Sequence, residues 1–190
     1  MVYDRIIEGQ TINMRSVIPD DAEITYAMRM DSEKVRYMHR ISGTVEDQRA
    51  YIVNQNNKSG DYLFLVLDKS GKPIGMRGIY NVREDSAESG RTIGYGDAFQ
   101  NIEAILLGFD FAFEKLQVKS IYMDAFADNS TVIGIQKQMG AMEIERNHID
   151  GLECENIRSV LYRDVYLLHR GKVMKLIVRH ADKMASRLHQ

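Results

Sequence analysis

The sequence is poor in the features that mark secreted, metal-binding and membrane proteins. Its single cysteine, Cys154, excludes an internal disulfide and is typical of a reducing compartment. No group of cysteines and histidines has metal-ligand spacing, so we expect no metal site. The longest apolar runs, such as residues 63–67, are far shorter than the roughly 18 to 20 residues that span a bilayer. Charged residues (Asp4, Arg5 and Glu8) stand where a signal peptide is apolar. We therefore expect a cytoplasmic protein with no membrane contact.

An excess of positive charge is also missing. The formal net charge is −2 and the isoelectric point is about 6.2. Because a protein that binds nucleic acid neutralises phosphates with a clustered basic surface, we expect no nucleic-acid partner. Internal repeats and low-complexity segments are absent, and 190 residues with 44% hydrophobic content suffice for one sizeable core. The sequence therefore predicts a single domain over residues 1–190.

Residues 88–141 form the segment around which the chain is organised. Apolar residues recur at three- and four-residue spacing between 102 and 117, which predicts an amphipathic helix. We expect Asn101 to be its N-cap, with strands at residues 88–95 before it and 120–126 after it. The polar residues that follow are expected to cap a second helix, which ends at a left-handed Gly140: Asp128, Asn129 and Ser130.

The predicted start of the first helix suggests a binding site for an anion. The helix follows directly on a strand, so the N–H groups of residues 101–104 are expected to point at the strand end without helical partners. Such groups bind phosphates well, and a pyrophosphate is one suitable ligand.

The remaining segments predict further strands and helices. Helices are expected after Pro19, over residues 28–38, over 48–55 behind a Thr44–Asp47 capping box, and from about Val165 to the end. Strands are expected at residues 11–17, 62–67, 73–82, 142–148 and 156–166, with Asp150 and Gly151 in the last turn and a bulge or close approach at Gly75 and Gly78. The last helix either packs back on the sheet or forms a partner interface, so a homodimer is one expected outcome.

Three motifs resemble those of one enzyme family. They are the helix from Glu103 to Leu116, the Asp128, Asn129, Ser130 sequence after the next strand, and the helix ending at residues 137–141. Together they resemble the GNAT superfamily of acyl-CoA-dependent N-acetyltransferases, in particular its ribosomal-protein and nucleotide-sugar amine branch. The resemblance covers about residues 10–165 and leaves residues 166–190 as an appended helix.

The resemblance implies an α/β fold and a reaction. The fold is a mixed, mostly antiparallel sheet of about seven strands flanked by helices. The strands at residues 88–95 and 120–126 part from each other, and the pantetheine arm of the co-substrate acetyl-CoA lies in the gap. Loops between the first helices wall the acceptor site. The acceptor is expected to be a small-molecule or nucleotide-sugar amine that attacks the thioester directly.

The pyrophosphate loop departs from the pattern of this family. Aligned on Glu103, the positions that are small in the family fall on Asp97, Phe99 and Asn101. Glycines let a backbone approach a phosphate closely, so this difference leaves open a non-catalytic binding or scaffold protein. A third hypothesis is transfer to a protein N-terminus.

Three residues are candidates for taking the proton from the amine: Glu88, Tyr95 and Asp97. Each also has a structural interpretation, respectively as a strand-end carboxylate, a sheet aromatic and a turn acid. A backbone N–H of residues 92–95 is the expected donor to the oxyanion. Arg29, Arg77 and Arg91 are the candidate cations near an acceptor pocket, or else members of ion pairs.

The resemblance also implies a set of cofactor-binding residues: Ile93, Gly94, Tyr95, Asn101, Ile102, Glu103, Asn129 and Gln136. Asn129 is expected to cap its helix, to bind the pantetheine, or both. Gln136 aligns with the family's thiolate-protonating tyrosine, and because an amide is no general acid, water, Tyr122 or no group protonates the thiolate. Cys154 lies between two glutamates, which disfavour a thiolate, so we expect no covalent role for it.

Overall fold

The computed structural model describes residues 1–38, 41–148 and 154–188 and confirms an α/β fold. Within those ranges, eight strands form one sheet in the order β1-β2-β3-β4-β5-β6-β8-β7. The strands are Ile7–Glu8, Ile12–Ser16, Tyr62–Asp68, Pro73–Tyr80, Ser86–Gly94, Ser120–Phe126, Met142–His148 and Glu155–Tyr162, numbered β1 to β8. The sheet has one strand more than the roughly seven expected, and that strand is the two-residue β1.

Five α-helices flank the sheet in the described residues. They are Ala22–Met30, Val45–Asn57, Ala98–Asp110, Ser130–Gln138 and Arg163–Leu188, numbered α1 to α5. Apolar side chains of α1 and α2 pack on one face of the sheet, where Met28 and Ile52 are buried against Leu65. Side chains of α3 and α5, such as Phe109 and Ile177, belong to a second, larger core on the other face. The sheet thus separates two cores.

Helix α3, which was predicted from the apolar spacing of residues 102–117, begins earlier than that spacing suggested. The N-cap of α3 is Asp97, whose side chain accepts hydrogen bonds from the N–H groups of Phe99 and Gln100, so the prediction of Asn101 as N-cap is wrong. The side-chain oxygen of Gln100 in turn accepts a hydrogen bond from the Asp97 N–H, which completes a capping box. At its other end α3 continues into a π-helical turn over Phe111–Lys115.

Most of the other boundaries agree with the predictions. The Thr44–Asp47 capping box is confirmed, as is Asn129 as the N-cap of α4, with Gly140 beyond the helix at φ +90°. The register between β3 and β4 and between β4 and β5 shifts near Val66 and near Met76, which confirms the bulge expected there. The short helix expected over residues 28–38 is wrong, because α1 extends to Met30 and turns follow it. Asp150 and Gly151 lie outside the described residues.

Helix α5 packs back on the protein. The side chains of Tyr166 and Ile177 are fully buried in the larger core. The hydroxyl of Tyr166 and the guanidinium of Arg170 both donate to the carboxylate of Asp110 on α3, at 2.6 to 2.7 Å. Among the described residues, no helix is long and apolar enough to cross a membrane.

Candidate active site

The site forms where two parallel neighbouring strands separate. Strand β5 pairs with β6 only from Ser86 opposite Ser120 to Glu88 opposite Tyr122. Beyond Glu88 the two strands have no register with each other, and the backbone of β5 turns through a left-handed Arg91 at φ 52°. Because residues other than glycine seldom adopt this conformation, Arg91 marks a strained point at which β5 parts from β6, while β5 stays paired with β4 as far as Gly94.

Two cavities meet at this separation. A cavity of about 310 Å³ lies on the α3 and α4 side, and one of about 940 Å³ lies on the α1 and α2 side. Both are lined by Ser89 and Gly90 of β5 and by Asp124 and Ala125 of β6. A molecule in the narrower cavity and one in the wider cavity therefore meet between the two strands.

Asp124 is the one carboxylate that lines both cavities among the described residues. Its two oxygens accept hydrogen bonds from Asn156 at 2.9 Å and from Arg158 at 2.7 Å. Arg158 also reaches the carboxylate of Glu88, at 3.4 Å. One guanidinium thus bridges the two carboxylates nearest to the separation of the strands.

The narrower cavity contains two incompletely satisfied polar groups. The guanidinium of Arg77 is buried, donates to the hydroxyls of Ser89 and Thr92 at 2.7 and 3.3 Å, and has no carboxylate within ion-pair distance in the described ranges. Burial lowers the pKa of Arg77 to about 10, so it remains a cation at neutral pH. The side-chain oxygen of Gln136 is also buried and accepts no hydrogen bond from the described residues. These two groups give the cavity a polar lining.

The predicted cofactor-binding residues divide into two groups. Five of them line the narrower cavity: Ile93, Gly94, Asn101, Asn129 and Gln136. Tyr95, Ile102 and Glu103 do not line it. Glu103 is fully buried, and its carboxylate accepts hydrogen bonds from Gln10 and from the N–H and hydroxyl of Thr11. Glu103 therefore holds the turn before β2 and is unavailable to a ligand.

The N–H groups expected to receive an anion are also occupied. The Asn101 N–H donates to the carbonyl of Asp97 at 3.0 Å, and residues 102–104 lie inside α3. The prediction that these groups remain free is therefore wrong. The cause is the Asp97–Gln100 capping box, which starts the helix four residues before Ile102.

The candidate bases occupy different places. Glu88 lies on the face of the sheet that carries the wider cavity, beside Tyr80, and raises the pKa of that tyrosine after the larger effect of burial. Tyr95 lies outside both cavities, where its hydroxyl donates to Asp31 at 2.8 Å. Burial, and then Asp31, raise its pKa to about 12, the wrong direction for a base. Asp97 likewise lines neither cavity and caps α3.

Cations and aromatic rings characterise the wider cavity. Arg91 forms a two-bond ion pair with the buried Asp61, at 2.7 and 3.1 Å, and lies over the ring of Tyr80. Arg29 lines the same cavity, and burial, together with the nearby Arg91, lowers its pKa. Of the three arginines considered from the sequence, Arg29 thus lines the wider cavity, Arg77 the narrower one, and Arg91 both.

Asp124 and Arg158 were not among the site residues predicted from the sequence. The alternation of strand β6 places Tyr122, Asp124 and Phe126 on one face, and an acid on that face was a usable signal. Its importance depends on the pairing of Asp124 with Arg158 of β8, a contact between distant parts of the chain. No local pattern shows such a pairing.

Comparisons with known proteins place this geometry in a family. A model of the acetyltransferase (GNAT) domain matches residues 11–142, more than half of the chain. A search of curated proteins by sequence finds no match.

Several solved structures share the fold. The apo form of FdhC, a nucleotide-linked sugar GNAT, has a TM-score of 0.76 at 22% identity over 90% of this chain and 97% of its own. Spermidine N-acetyltransferase from Vibrio cholerae, in complex with CoA and spermine, has a TM-score of 0.75 at 16% identity over 84% of this chain and 99% of its own. A GNAT-family acetyltransferase from Bacillus anthracis has a TM-score of 0.72 at 14% identity over 84% and 99%.

Proposed function

Because the chain belongs to the GNAT acetyltransferase family, we propose that it is an acetyl-CoA-dependent N-acetyltransferase that acts on a small-molecule amine. The observation that carries the proposal is the separation of β5 from β6, which joins two cavities at one point. A thioester enters through the narrower cavity and an amine through the wider one. In this proposal the amine attacks the thioester directly, with both substrates held at the meeting point.

The residues at the meeting point have distinct roles in this proposal. Backbone N–H groups of residues 92–94 lie on the part of β5 that has no pairing with β6, and one of them donates to the developing oxyanion. The Tyr95 N–H is already used, because it donates to the carbonyl of Ile74 at 2.8 Å. Gln136 and Asn129 hold the pantetheine arm by its amide groups, and Arg77 provides positive charge on the side where thiolate charge develops.

Asp124 is the proposed acceptor of the proton from the amine, directly or through water, with Glu88 as the second candidate. Asp124→Asn should lower kcat by about 10²- to 10⁴-fold, the usual contribution of a general base, while acetyl-CoA affinity stays unchanged. Glu88→Gln is tested in parallel, and Asp85→Asn is the control because Asp85 pairs with Lys119 at the far end of the two strands. A large loss in Glu88→Gln alone would assign the base to Glu88 instead.

The acceptor is proposed to carry an anionic group, as a nucleotide-sugar amine does. Two guanidinium groups line the wider cavity: that of Arg29, and that of Arg91, which also pairs with Asp61. Its two carboxylates are already engaged: Asp47 with the N–H and hydroxyl of Thr44, and Asp124 with Arg158. A polyamine would therefore have to compete with existing partners for each carboxylate.

Paired acceptors test this charge preference. An amino-sugar nucleotide should give a higher kcat/KM than spermidine, and Arg29→Met should raise the KM for the nucleotide by roughly tenfold. Preference for spermidine would overturn the anionic acceptor and leave acetyl transfer intact. Turnover of a peptide N-terminus, with neither small amine accepted, would favour a protein acceptor.

Calorimetry with acetyl-CoA separates the enzyme from the scaffold hypothesis. Binding is expected, and Asn129 and Gln136 should contribute to it. A titration that gives neither heat nor a thermal shift at millimolar acetyl-CoA would favour a binding or scaffold protein that has lost the co-substrate.

A further inference from the structure

The first turn of α3 uses its own N–H groups. Phe99 and Gln100 donate to one carboxylate oxygen of Asp97 at 2.8 and 2.9 Å, and Asn101 donates to the Asp97 carbonyl at 3.0 Å. A helix N-terminus binds a phosphate through these same groups. In this protein the side-chain carboxylate and the backbone carbonyl of Asp97 already occupy them.

The second oxygen of Asp97 is held by α5. The ring of His180 lies 2.9 Å from this oxygen and stacks on Phe99, with 4.3 Å between ring centroids. Burial acts to raise the pKa of Asp97, but the hydrogen bonds from Gln100 and His180 outweigh it, so the pKa stays below its usual range. A carboxylate anion therefore sits at the helix start at neutral pH, where it repels a phosphate.

The space beside the strand is filled as well. The amide of Asn101 donates to the carbonyl of Gly96 at 2.9 Å and lies directly against Gly94. A Cβ built on Gly94 would be 2.2 Å from the Asn101 side-chain oxygen. Hence the gap that opens toward the helix start at Gly94 is closed by a side chain.

Deeper in the narrower cavity, in contrast, polar groups lack hydrogen-bond partners among the described residues. The buried side-chain oxygen of Gln136 lacks a donor among the described residues, and Asn129 lines the same cavity. The amide-containing pantetheine arm offers N–H groups that satisfy such an oxygen, since an unpaired buried acceptor is costly. Among the described residues, the unpartnered buried side-chain atoms at this cavity belong to Arg77 and Gln136, where the pantetheine arm would bind, and none belongs to the start of α3.

We propose that this protein recognises its acyl donor by the pantetheine arm alone, so that acylated pantetheine lacking the nucleotide serves as well as acetyl-CoA. The inference rests on the proposed function, because it places the thioester in the narrower cavity. It extends the donor class to any acyl group carried on a pantetheine arm.

Calorimetry and kinetics on the whole chain test this donor class. Dissociation constants are measured for pantetheine, 4′-phosphopantetheine and coenzyme A, and kcat/KM for their acetyl thioesters. All three should agree within about fivefold, a difference of roughly 1 kcal/mol. A larger preference for coenzyme A overturns the inference and leaves the acetyltransferase proposal standing. Absence of binding by all three overturns both.

A substitution of Asp97 at the start of α3 tests whether its carboxylate is what disfavours the nucleotide. Asp97→Asn keeps a good N-cap but removes the charge, so coenzyme A should bind about threefold or more tighter while pantetheine is unaffected. Asp182→Asn is the matched control, because it removes one charge from α5 without touching the cap. An equal gain in both variants, or no gain in Asp97→Asn, overturns the assignment to the Asp97 carboxylate. If Asp97→Asn fails to fold, the wild-type comparison of the three ligands still decides.

Discussion

Asn129 has a structural and a proposed ligand-binding task at the start of α4. Its side-chain oxygen accepts a long hydrogen bond of 3.4 Å from the Val132 N–H, and the residue also lines the narrower cavity. If Asn129 only caps the helix, Asn129→Asp should leave both stability and acetyl-CoA affinity nearly unchanged, because both residues cap well.

If Asn129 also donates to a pantetheine carbonyl, the same variant loses that donor and gains a negative charge. Acetyl-CoA affinity should then fall by roughly 1.5 to 3 kcal/mol, which is about tenfold or more. Thermal unfolding and calorimetry on one protein preparation separate the two cases. We expect weaker binding at unchanged stability.

Cys154 tests whether transfer is direct. Its thiol donates to the Asp128 carboxylate at 3.2 Å and lies outside both cavity linings. Cys154→Ala should therefore keep full acetyl transfer in an assay of free thiol release. Loss of turnover in a folded variant would instead indicate a covalent acyl-enzyme.

At the scale of elements, Gly108 allows α3 to pack closely against the sheet. A Cβ on Gly108 would lie 2.1 Å from Nε of Arg77, so any larger residue displaces the buried guanidinium from Ser89 and Thr92. Gly108→Ala should destabilise the protein by about 2 to 3 kcal/mol through overpacking, despite the better helix propensity of alanine.

Gly171→Ala is the matched control for Gly108→Ala. Gly171 is also inside a helix, α5, but a Cβ there meets nothing within 4 Å. We expect this variant to be stabilised by roughly 0.5 to 1 kcal/mol in urea unfolding. Equal effects of the two substitutions on the free energy of unfolding would show that the Arg77 side chain can move aside without loss of stability.

Local signals were sufficient for most elements. The Thr44 capping box, the Asn129 N-cap and Gly140 are short-range patterns that act within one turn, and each was predicted correctly. The start of α3 was missed because apolar spacing begins only at Ile102, one turn inside the helix. The Asp97–Gln100 capping box was the better signal, since it satisfies N–H groups directly.

The candidate site was less predictable than the fold. The separation of β5 from β6 was expected only from the family resemblance, because strand pairing is a long-range property. Glu103 was predicted to bind the cofactor, but its carboxylate accepts a hydrogen bond from Thr11, 92 positions away in the sequence. Asp124 could be identified as a candidate proton acceptor only from the structure, in which β8 places Arg158 beside it.

For the molecule as a whole, the sheet lies between two cores, and the two cavities meet where its strands β5 and β6 part. The α1 and α2 core is held at its edge by a partly buried ion pair, in which Arg15 donates to both oxygens of Asp21 at 2.7 Å. The same carboxylate accepts from the Ile18 N–H at 2.9 Å, at the entry to α1. Asp21 therefore connects β2 to the first helix.

This connection predicts how stability changes with pH. Burial acts to raise the pKa of Asp21, but its bonds to Arg15 and Ile18 outweigh that effect and lower the pKa. Because the folded pKa lies below the unfolded value of about 3.9, the stabilisation is present above that pH. It is lost as the pH falls through the folded pKa.

Asp21→Asn should consequently lower the free energy of unfolding at pH 7, by an amount that shrinks as the pH is lowered from about 5 to 3. Urea unfolding at several pH values measures this difference. Asp20→Asn is the control, because the Asp20 side chain is 90% exposed and its nearest cation, Arg49, is 3.8 Å away. A difference between Asp21→Asn and wild type that stays constant down to pH 3 would show that the ion pair does not link protonation to folding. Convergence of the two proteins at low pH would instead identify Asp21 as one source of acid sensitivity on the α1 and α2 side of the sheet.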